Sequence, residues 1–161
     1  MKVLSLFFID CVANYFPEDG KIRQWFIDAY TETAAKSQYE PLNPLPVDQV
    51  HNGYFAVTSK GEAKDTRGNT KADDDAYELI MRDKERLLDR NEPLRFIFSH
   101  SALREGSDNP NVFQICTLNE TKSELKKRQE IGRGLRLPVR EDGTRSLDHT
   151  INRLTVVANE S

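Results

Sequence analysis

The chain has 161 residues, of which 37% are hydrophobic and 30% charged, and its 26 acidic and 23 basic side chains give a formal net charge of -3. This length suits one compact domain, and the near balance of charge excludes a broadly basic nucleic-acid-binding protein, so any contact with nucleic acid must be local. The longest apolar run is far shorter than the roughly 20 residues that cross a bilayer, so we expect no membrane segment and a cytoplasmic protein.

A strand and a helix are predicted first. Lys2–Ile9 is a continuous apolar run of strand length, which predicts a strand buried on both faces of a sheet. From Glu18 to Lys36, apolar residues recur at the period of a helix that covers one face of that sheet. The members expected to face the core are Ile22, Trp25, Phe26, Ala29 and Tyr30.

Residues 37–72 differ in character from the segments on either side. The run YEPLNPLP and the polar, glycine-containing run KGEAKDTRGNTK predict loops, and His51–Ser59 between them predicts a short strand or half of a hairpin. We therefore predict an inserted loop or hairpin at about residues 40–72. Three aspartates at 73–75 then begin a predicted helix, which Asn91 and Pro93 end.

Three further strands are predicted at Leu94–Ser99, Val112–Leu118 and Leu154–Val157. Thr121 and Glu124 form a capping box that begins a helix between the last two of them. Strands that alternate with helices predict an α/β fold, in which a parallel sheet has helices on both faces. Ligands bind such sheets beyond the carboxyl ends of the strands, so we expect the functional residues there.

The densest chemical signal is QEIGRGLR at residues 129–136. On a helix, Gln129, Arg133 and Arg136 project from one side, and Gly132 permits close approach of a ligand. Each guanidinium is a planar fork of donors that fits phosphate oxygens. A solvated basic helix end, which interacts with its own dipole, explains the same residues equally well.

A second signal is the loop ALREGSDNPNV at residues 102–112, between two predicted buried strands. Gly106 permits a positive φ, and Asp108 offers a carboxylate to a sugar hydroxyl or to an arginine. A structural turn explains the Asp-Asn-Pro run equally well.

In this order and at this spacing, the two segments resemble motifs V and VI of superfamily 2 helicases, with the patterns G-x-D-x-P and Q-x-x-G-R-x-x-R. The run FFID at residues 7–10 lies where motif IV would be, on the first strand of the second RecA-like lobe. Together with DTRGNTKADDDAYELIMRDKERLL, PLRFIFSHSALREG and LTVVANES, these segments resemble the restriction (Res) subunit of type III restriction-modification enzymes. The resemblance covers essentially the whole chain, residues 1–161.

The resemblance implies a RecA-like (P-loop NTPase-type) motor lobe of an ATP-dependent DNA translocase or helicase in a restriction endonuclease. It implies catalytic roles for Gln129, Arg133 and Arg136, of which Arg136 would be the arginine finger that reaches the γ-phosphate of ATP. It places Gly106, Asp108 and Gly132 near ATP, and Asn14, His100 and Ser101 near the DNA backbone. The implied partners are double-stranded DNA, a methyltransferase (Mod) subunit and the first RecA-like lobe of the same chain. The chain departs from the family at Ser107, where the pattern G-W-D-N-P usually has tryptophan.

Two other functions compete with this interpretation. Asp48, Glu62 and Lys64 follow the Asp then Glu-x-Lys order of magnesium-dependent nucleases, although the last two residues lie in a polar stretch without the rigid support such sites need. A non-catalytic DNA-binding or docking module would instead use the basic residues for phosphate contacts. These residues are Lys126, Lys127, Arg128, Arg133 and Arg136. Cys11 and Cys116 lack the spacing of zinc ligands, and we predict no resident metal site.

The sequence contains no G-x-x-x-x-G-K-[ST], so the loop that cradles nucleotide phosphates is absent from it. We therefore expect a fragment of a longer chain, in which a first lobe binds most of ATP and Mg²⁺. The isolated 161-residue chain should neither hydrolyse ATP nor move along DNA at a meaningful rate. A single-turnover assay checks this, and brisk hydrolysis by the isolated chain would contradict it.

Overall fold

A computed structural model describes residues 2–55, 65, 86–87, 89–100, 112–118, 140, 143–150 and 152–158. Within this part of the chain, five strands form one sheet in the order β2-β3-β1-β4-β5, and every neighbouring pair is parallel. The strands are β1 (Leu4–Phe8), β2 (His51–Gly53), β3 (Phe96–Ser99), β4 (Val112–Thr117) and β5 (Thr155–Ala158). The predicted α/β fold with a RecA-like parallel sheet is confirmed, and the predicted strands differ from the observed ones only at their ends.

The central strand β1 is buried on both faces, as its continuous apolar run predicts. Successive side chains point to opposite faces of a strand, so Leu4, Leu6 and Phe8 pack into one apolar cluster. Phe7 and Ile9 pack into a second cluster on the opposite face. In the first cluster, the residues from outside the sheet are Tyr54, Leu87 and Leu94.

The helices of the described residues begin with α1 (Lys21–Ala34), which confirms the helix predicted after Pro17. A four-residue helix, α2 (Val47–Val50), and two 3-10 helices, Val12–Asn14 and Ser37–Leu42, complete this set. None of the helices that the structure describes is long and apolar enough to cross a membrane. The helices predicted after residues 73–75 and from Thr121 lie almost wholly or wholly outside the described residues.

Helix α1 packs on the second cluster through a narrower face than the sequence predicts. Ile22 is buried, and the ring of Phe26 lies 5.0 Å from that of Phe96 and 5.3 Å from that of Phe98. The predictions that Trp25 and Ala29 face the core are wrong, because Trp25 is 59% exposed and Ala29 is also exposed. Positions 22, 26 and 30 follow the i, i+4 row that faces the sheet, whereas Trp25 lies beside this row. There its ring lies 4.6 Å from Nζ of Lys21.

The segment predicted to be an insertion supplies a strand of the main sheet. His51–Gly53 pairs in parallel with β3, in register with Phe96–Phe98, so the hairpin predicted at this point is not formed by these residues. Arg95 N donates to Val50 O at 2.8 Å and Tyr54 N donates to Phe98 O at 2.8 Å, which extends the pairing at both ends. Strands β1 and β2 lie on either side of β3 and run parallel, so the chain must cross over between them, and this connection contains α1.

A buried hydrogen bond connects the loop after β1 to strand β2. The hydroxyl of Tyr15 lies 2.5 Å from Nδ1 of His51, and both side chains are buried. Burial raises the pKa of Tyr15 well above its usual range and lowers the pKa of His51. Both shifts favour the neutral forms, and the tautomer of His51 decides whether the tyrosine hydroxyl or Nδ1–H of His51 is the donor. The ring of Tyr15 also stacks on that of Phe98 at 4.2 Å.

His51 should make the stability of the fold depend on pH. Because burial lowers its pKa in the folded state, the unfolded chain binds a proton near pH 6.5 that the folded chain rejects. The contribution of His51 is therefore complete above about pH 6.5, and below that pH the free energy of unfolding should fall by up to about 1.4 kcal/mol per pH unit. Urea unfolding between pH 8 and pH 5 measures this slope.

The matched control for this experiment is His149, which is exposed. His51→Gln should flatten the slope below pH 6.5, whereas His149→Gln should leave it unchanged. Equal slopes in the wild type and His51→Gln would show that another group is responsible.

Candidate functional site

The carboxyl ends of the parallel strands meet at one edge of the sheet, called here the carboxyl edge. Ile9 N donates to Ser99 O at 2.9 Å, and Leu118 N donates to Phe8 O at 2.7 Å. These two hydrogen bonds hold the residues that follow β1, β3 and β4 side by side. The predicted DNA-contacting residues Asn14 and His100 follow β1 and β3, so this edge is the candidate site.

Asn14 ends the 3-10 helix that directly follows β1. Its side-chain Nδ2 donates to Oδ1 of Asp10 at 2.9 Å, which closes the turn on itself. The backbone around Asn14 is packed closely against Gly20, the residue that precedes α1. A Cβ atom at position 20 would lie 2.7 Å from Asn14 O and 2.9 Å from Tyr15 N. Glycine is therefore required there by space, since its own φ of -55° suits any residue.

His100 directly follows β3, and its side chain is 17% exposed. Its Nε2 lies 3.6 Å from Oδ1 of Asp65. Its Nδ1 is buried and has no hydrogen-bond partner among the described residues.

Asp65 connects the segment that follows β1 with the one that follows β3. Its Oδ1 accepts a hydrogen bond from Val12 N at 2.6 Å, and its Oδ2 accepts one from the Cys11 thiol at 3.4 Å. Together with His100, three groups therefore converge on one carboxylate, which is itself 52% exposed. The sequence interpretation missed Asp65, which lies in a polar stretch where no periodicity or motif distinguishes one acidic residue from another.

The remaining predicted site residues lie outside the described residues. They are Ser101, Gly106, Asp108, Gln129, Gly132, Arg133 and Arg136, together with Ser107. Their assignments stay predictions. Of the nuclease alternative, only Asp48 is described: it is exposed in the first turn of α2 and not on a strand, whereas Glu62 and Lys64 lie outside the described residues.

The described charges are distributed unevenly between the two ends of the sheet. Asp10 and Asp65 lie at the carboxyl edge, where Arg23 also lies, 6.0 Å from the centroid of the Tyr15 ring. Lys2 and Arg95 precede β1 and β3 and therefore lie at the opposite edge. Burial and the nearby Arg95 lower the pKa of Lys2 to about 8, and its Nζ donates to Glu92 O at 2.9 Å. Within the described residues, no group of three His, Cys, Asp or Glu side chains could hold a metal ion.

Comparison with known proteins identifies relatives of one kind. The Res subunit of the type III restriction-modification enzyme EcoPI from Escherichia phage P1 is 41% identical over 149 residues, which is 88% of this chain and 15% of that protein. The EcoP15I Res subunit of Escherichia coli is 38% identical over 156 residues, again 88% of this chain and 15% of the relative. The StyLTI Res subunit of Salmonella typhimurium is 36% identical over 171 aligned residues, 90% of this chain and 17% of the relative.

The chain thus spans about one sixth of the length of these curated relatives. No protein-family model matches it.

The close packing at Gly20 leads to a prediction about the loop that carries Asn14. Gly20→Ala should lower the free energy of unfolding by about 1–3 kcal/mol, because the added methyl group meets backbone atoms that can move only with the whole loop. Chemical denaturation measures the change. Asp19→Ala, at the exposed neighbouring position, should change stability by less than about 0.5 kcal/mol. Equal stability of the wild type and Gly20→Ala would show that the loop adapts without cost.

Proposed function

Because the chain is related to one segment of the type III Res subunits, we propose that it is the second RecA-like lobe of an ATP-dependent DNA motor in a type III restriction endonuclease. The observation that carries this proposal is the similarity to three Res subunits over 88% to 90% of the chain. The all-parallel sheet supports it, because motor lobes of this kind place nucleotide and DNA at the carboxyl ends of parallel strands.

In this proposal, the arginines of segment 129–136 act on ATP that is held by another lobe. Arg136 is the arginine finger, and Arg133 and Gln129 support it at the γ-phosphate. A guanidinium placed there stabilises the charge that develops on the transferred phosphoryl group. Gly132 permits the helix that carries these side chains to approach the nucleotide closely.

The loop 102–112 has a second role in the proposal. It follows β3 in sequence and therefore begins at the carboxyl edge. Gly106 and Asp108 would lie beside the ribose of ATP, with Asp108 accepting a hydrogen bond from a sugar hydroxyl. Ser107 removes the large side chain that the family usually has beside this aspartate, so the nucleotide would be packed less tightly on that side.

ATP supplies the phosphoryl group for hydrolysis when it is bound. The donors that this chain offers to phosphate are guanidinium groups, whereas the sequence has no phosphate-cradling loop. We therefore assign Mg²⁺ and most of the ATP contacts to a first RecA-like lobe.

DNA would contact the carboxyl edge of the sheet. Asn14 and His100 follow adjacent strands there, and Ser101 follows His100 in the chain. Contacts from such residues to phosphate groups hold the protein on the DNA without depending on the base sequence. Sequence-independent contacts of this kind suit a motor that moves along DNA. The complete enzyme would act on double-stranded DNA in the cytoplasm, together with a methyltransferase (Mod) subunit.

The two alternatives receive less support. A magnesium-dependent nuclease built on Asp48, Glu62 and Lys64 needs rigidly placed ligands, and Asp48 is exposed in a four-residue helix. A non-catalytic DNA-binding or docking module would use the basic residues 126–136 without ATP. Replacement of Arg136, the proposed arginine finger, distinguishes this second alternative from the motor function.

Arg136→Ala in the protein at its full natural length should abolish DNA-stimulated ATP hydrolysis. The expected loss is on the order of 10³- to 10⁵-fold in kcat, because the transition state loses the charge that stabilises it. The affinity for DNA should remain within about twofold of the wild type, because in this proposal Arg136 faces ATP and other residues contact DNA. Steady-state ATPase assays and fluorescence anisotropy with a labelled duplex measure the two quantities.

Arg140→Ala, a nearby and exposed arginine, is the matched control and should leave both quantities near the wild-type values. The docking alternative predicts the opposite result for Arg136→Ala: weakened DNA binding with ATP hydrolysis retained.

A further inference from the structure

Three groups at the carboxyl edge donate to, or face, a single carboxylate. Val12 N lies 2.6 Å from Oδ1 of Asp65, the Cys11 thiol lies 3.4 Å from Oδ2, and Nε2 of His100 lies 3.6 Å from Oδ1. A backbone N–H, a thiol and an imidazole nitrogen are all groups that hydrogen-bond to an anionic oxygen. A phosphate oxygen of DNA would use the same groups, since phosphate and carboxylate present similar acceptors.

These groups lie at the carboxyl edge of the sheet, where the proposed function places the DNA. Cys11 and Val12 belong to the loop that carries Asn14, and His100 is itself one of the proposed DNA contacts. With Asp65 in place, Val12 N and the Cys11 thiol already donate to its carboxylate, and Nε2 of His100 faces it.

The acidic side chains at the carboxyl edge also disfavour the binding of a phosphate group while Asp65 contacts Val12 N and the Cys11 thiol. Asp10 and Asp65 are both acidic, Asp65 faces His100, and the guanidinium of Arg23 on α1 lies over the ring of Tyr15. A phosphate that approached Cys11, Val12 and His100 would meet the Asp65 carboxylate at short range, where like charges repel most strongly.

The contacts of Asp65 are suited to exchange. Its side chain is 52% exposed, so water can replace its partners when it leaves. The contact between Nε2 of His100 and Oδ1 of Asp65, at 3.6 Å, is longer than a hydrogen bond, and the Cys11 thiol is a weak donor. A multiply charged DNA backbone can therefore compete for these groups, whereas a buried carboxylate with several strong partners would resist displacement.

We propose that the Asp65 carboxylate occupies the place of a DNA phosphate at the carboxyl edge of the sheet and has to leave it before DNA binds there. This inference rests on the proposed function, which places DNA at this edge. It identifies Asp65 as an internal competitor of DNA, a role that is opposite to that of a residue that positions His100 for DNA binding.

The test compares two variants of the protein at its full natural length by fluorescence anisotropy with a labelled DNA duplex. Asp65→Asn keeps an oxygen that accepts from Val12 N and removes the charge, whereas Asp65→Ala removes both. Both variants should bind DNA about two- to fivefold more tightly than the wild type, the range expected for one exposed charge interaction. The salt dependence of binding should also become steeper, by up to about one released counterion.

The matched control is Asp89→Asn, which removes the same charge from the loop before β3, at the opposite edge of the sheet. Asp89 is exposed and accepts a hydrogen bond from Asn91 N, which an asparagine can also do. If Asp89→Asn raises the affinity as much as Asp65→Asn, the effect is one of net charge and the inference is wrong.

The other outcomes separate this inference from the proposed function. If the wild type binds DNA and Asp65→Ala binds more weakly, Asp65 positions the DNA-contacting residues and the competitor role is overturned while the proposed function stands. If neither the wild type nor any variant binds duplex DNA, the proposed function fails and the inference fails with it.

Discussion

The structure depends on the burial of β1 between two parallel neighbours. β1 pairs with β3 on one side and with β4 on the other, and its alternating side chains enter both apolar clusters. A strand in this position has no solvent-facing side, which explains why its sequence is a nearly continuous apolar run. The same pairing aligns the ends of three strands, so the residues that follow them are neighbours in space although they are far apart in the chain.

The loop after β1 is held from two directions. On the inner side, Tyr15 stacks on Phe98 and hydrogen-bonds to His51, which connects the loop to β3 and β2. On the outer side, Asp65 accepts from Val12 N and lies beside His100. The inner contacts are buried and favour neutral side chains, and they give the loop a fixed shape. The outer contacts converge on the Asp65 carboxylate, which is 52% exposed, so they can be exchanged for those of a ligand without loss of the core.

This arrangement gives a physical basis for the way in which a motor lobe could respond to DNA. A fixed loop presents backbone and side-chain donors at the edge of the sheet, and in the proposal the Asp65 carboxylate holds these donors until DNA displaces it. The basic side chains Lys2 and Arg95 do not contribute there, because they precede their strands and lie at the other edge.

The sequence by itself determined the strands, helix α1, the α/β class and the relationship to Res subunits, because hydrophobic period and motif order are local properties of the chain. It failed where the outcome depends on distant partners. The apolar period included Trp25, but only the packing of Ile22 and Phe26 against the sheet decides which row of α1 is buried. His51–Gly53 has the composition of any short strand, and its parallel pairing with β3 depends on where β3 lies. No pattern in the neighbouring sequence distinguishes Asp65, because its contacts are with Val12 and His100, which lie 53 and 35 positions away in the chain.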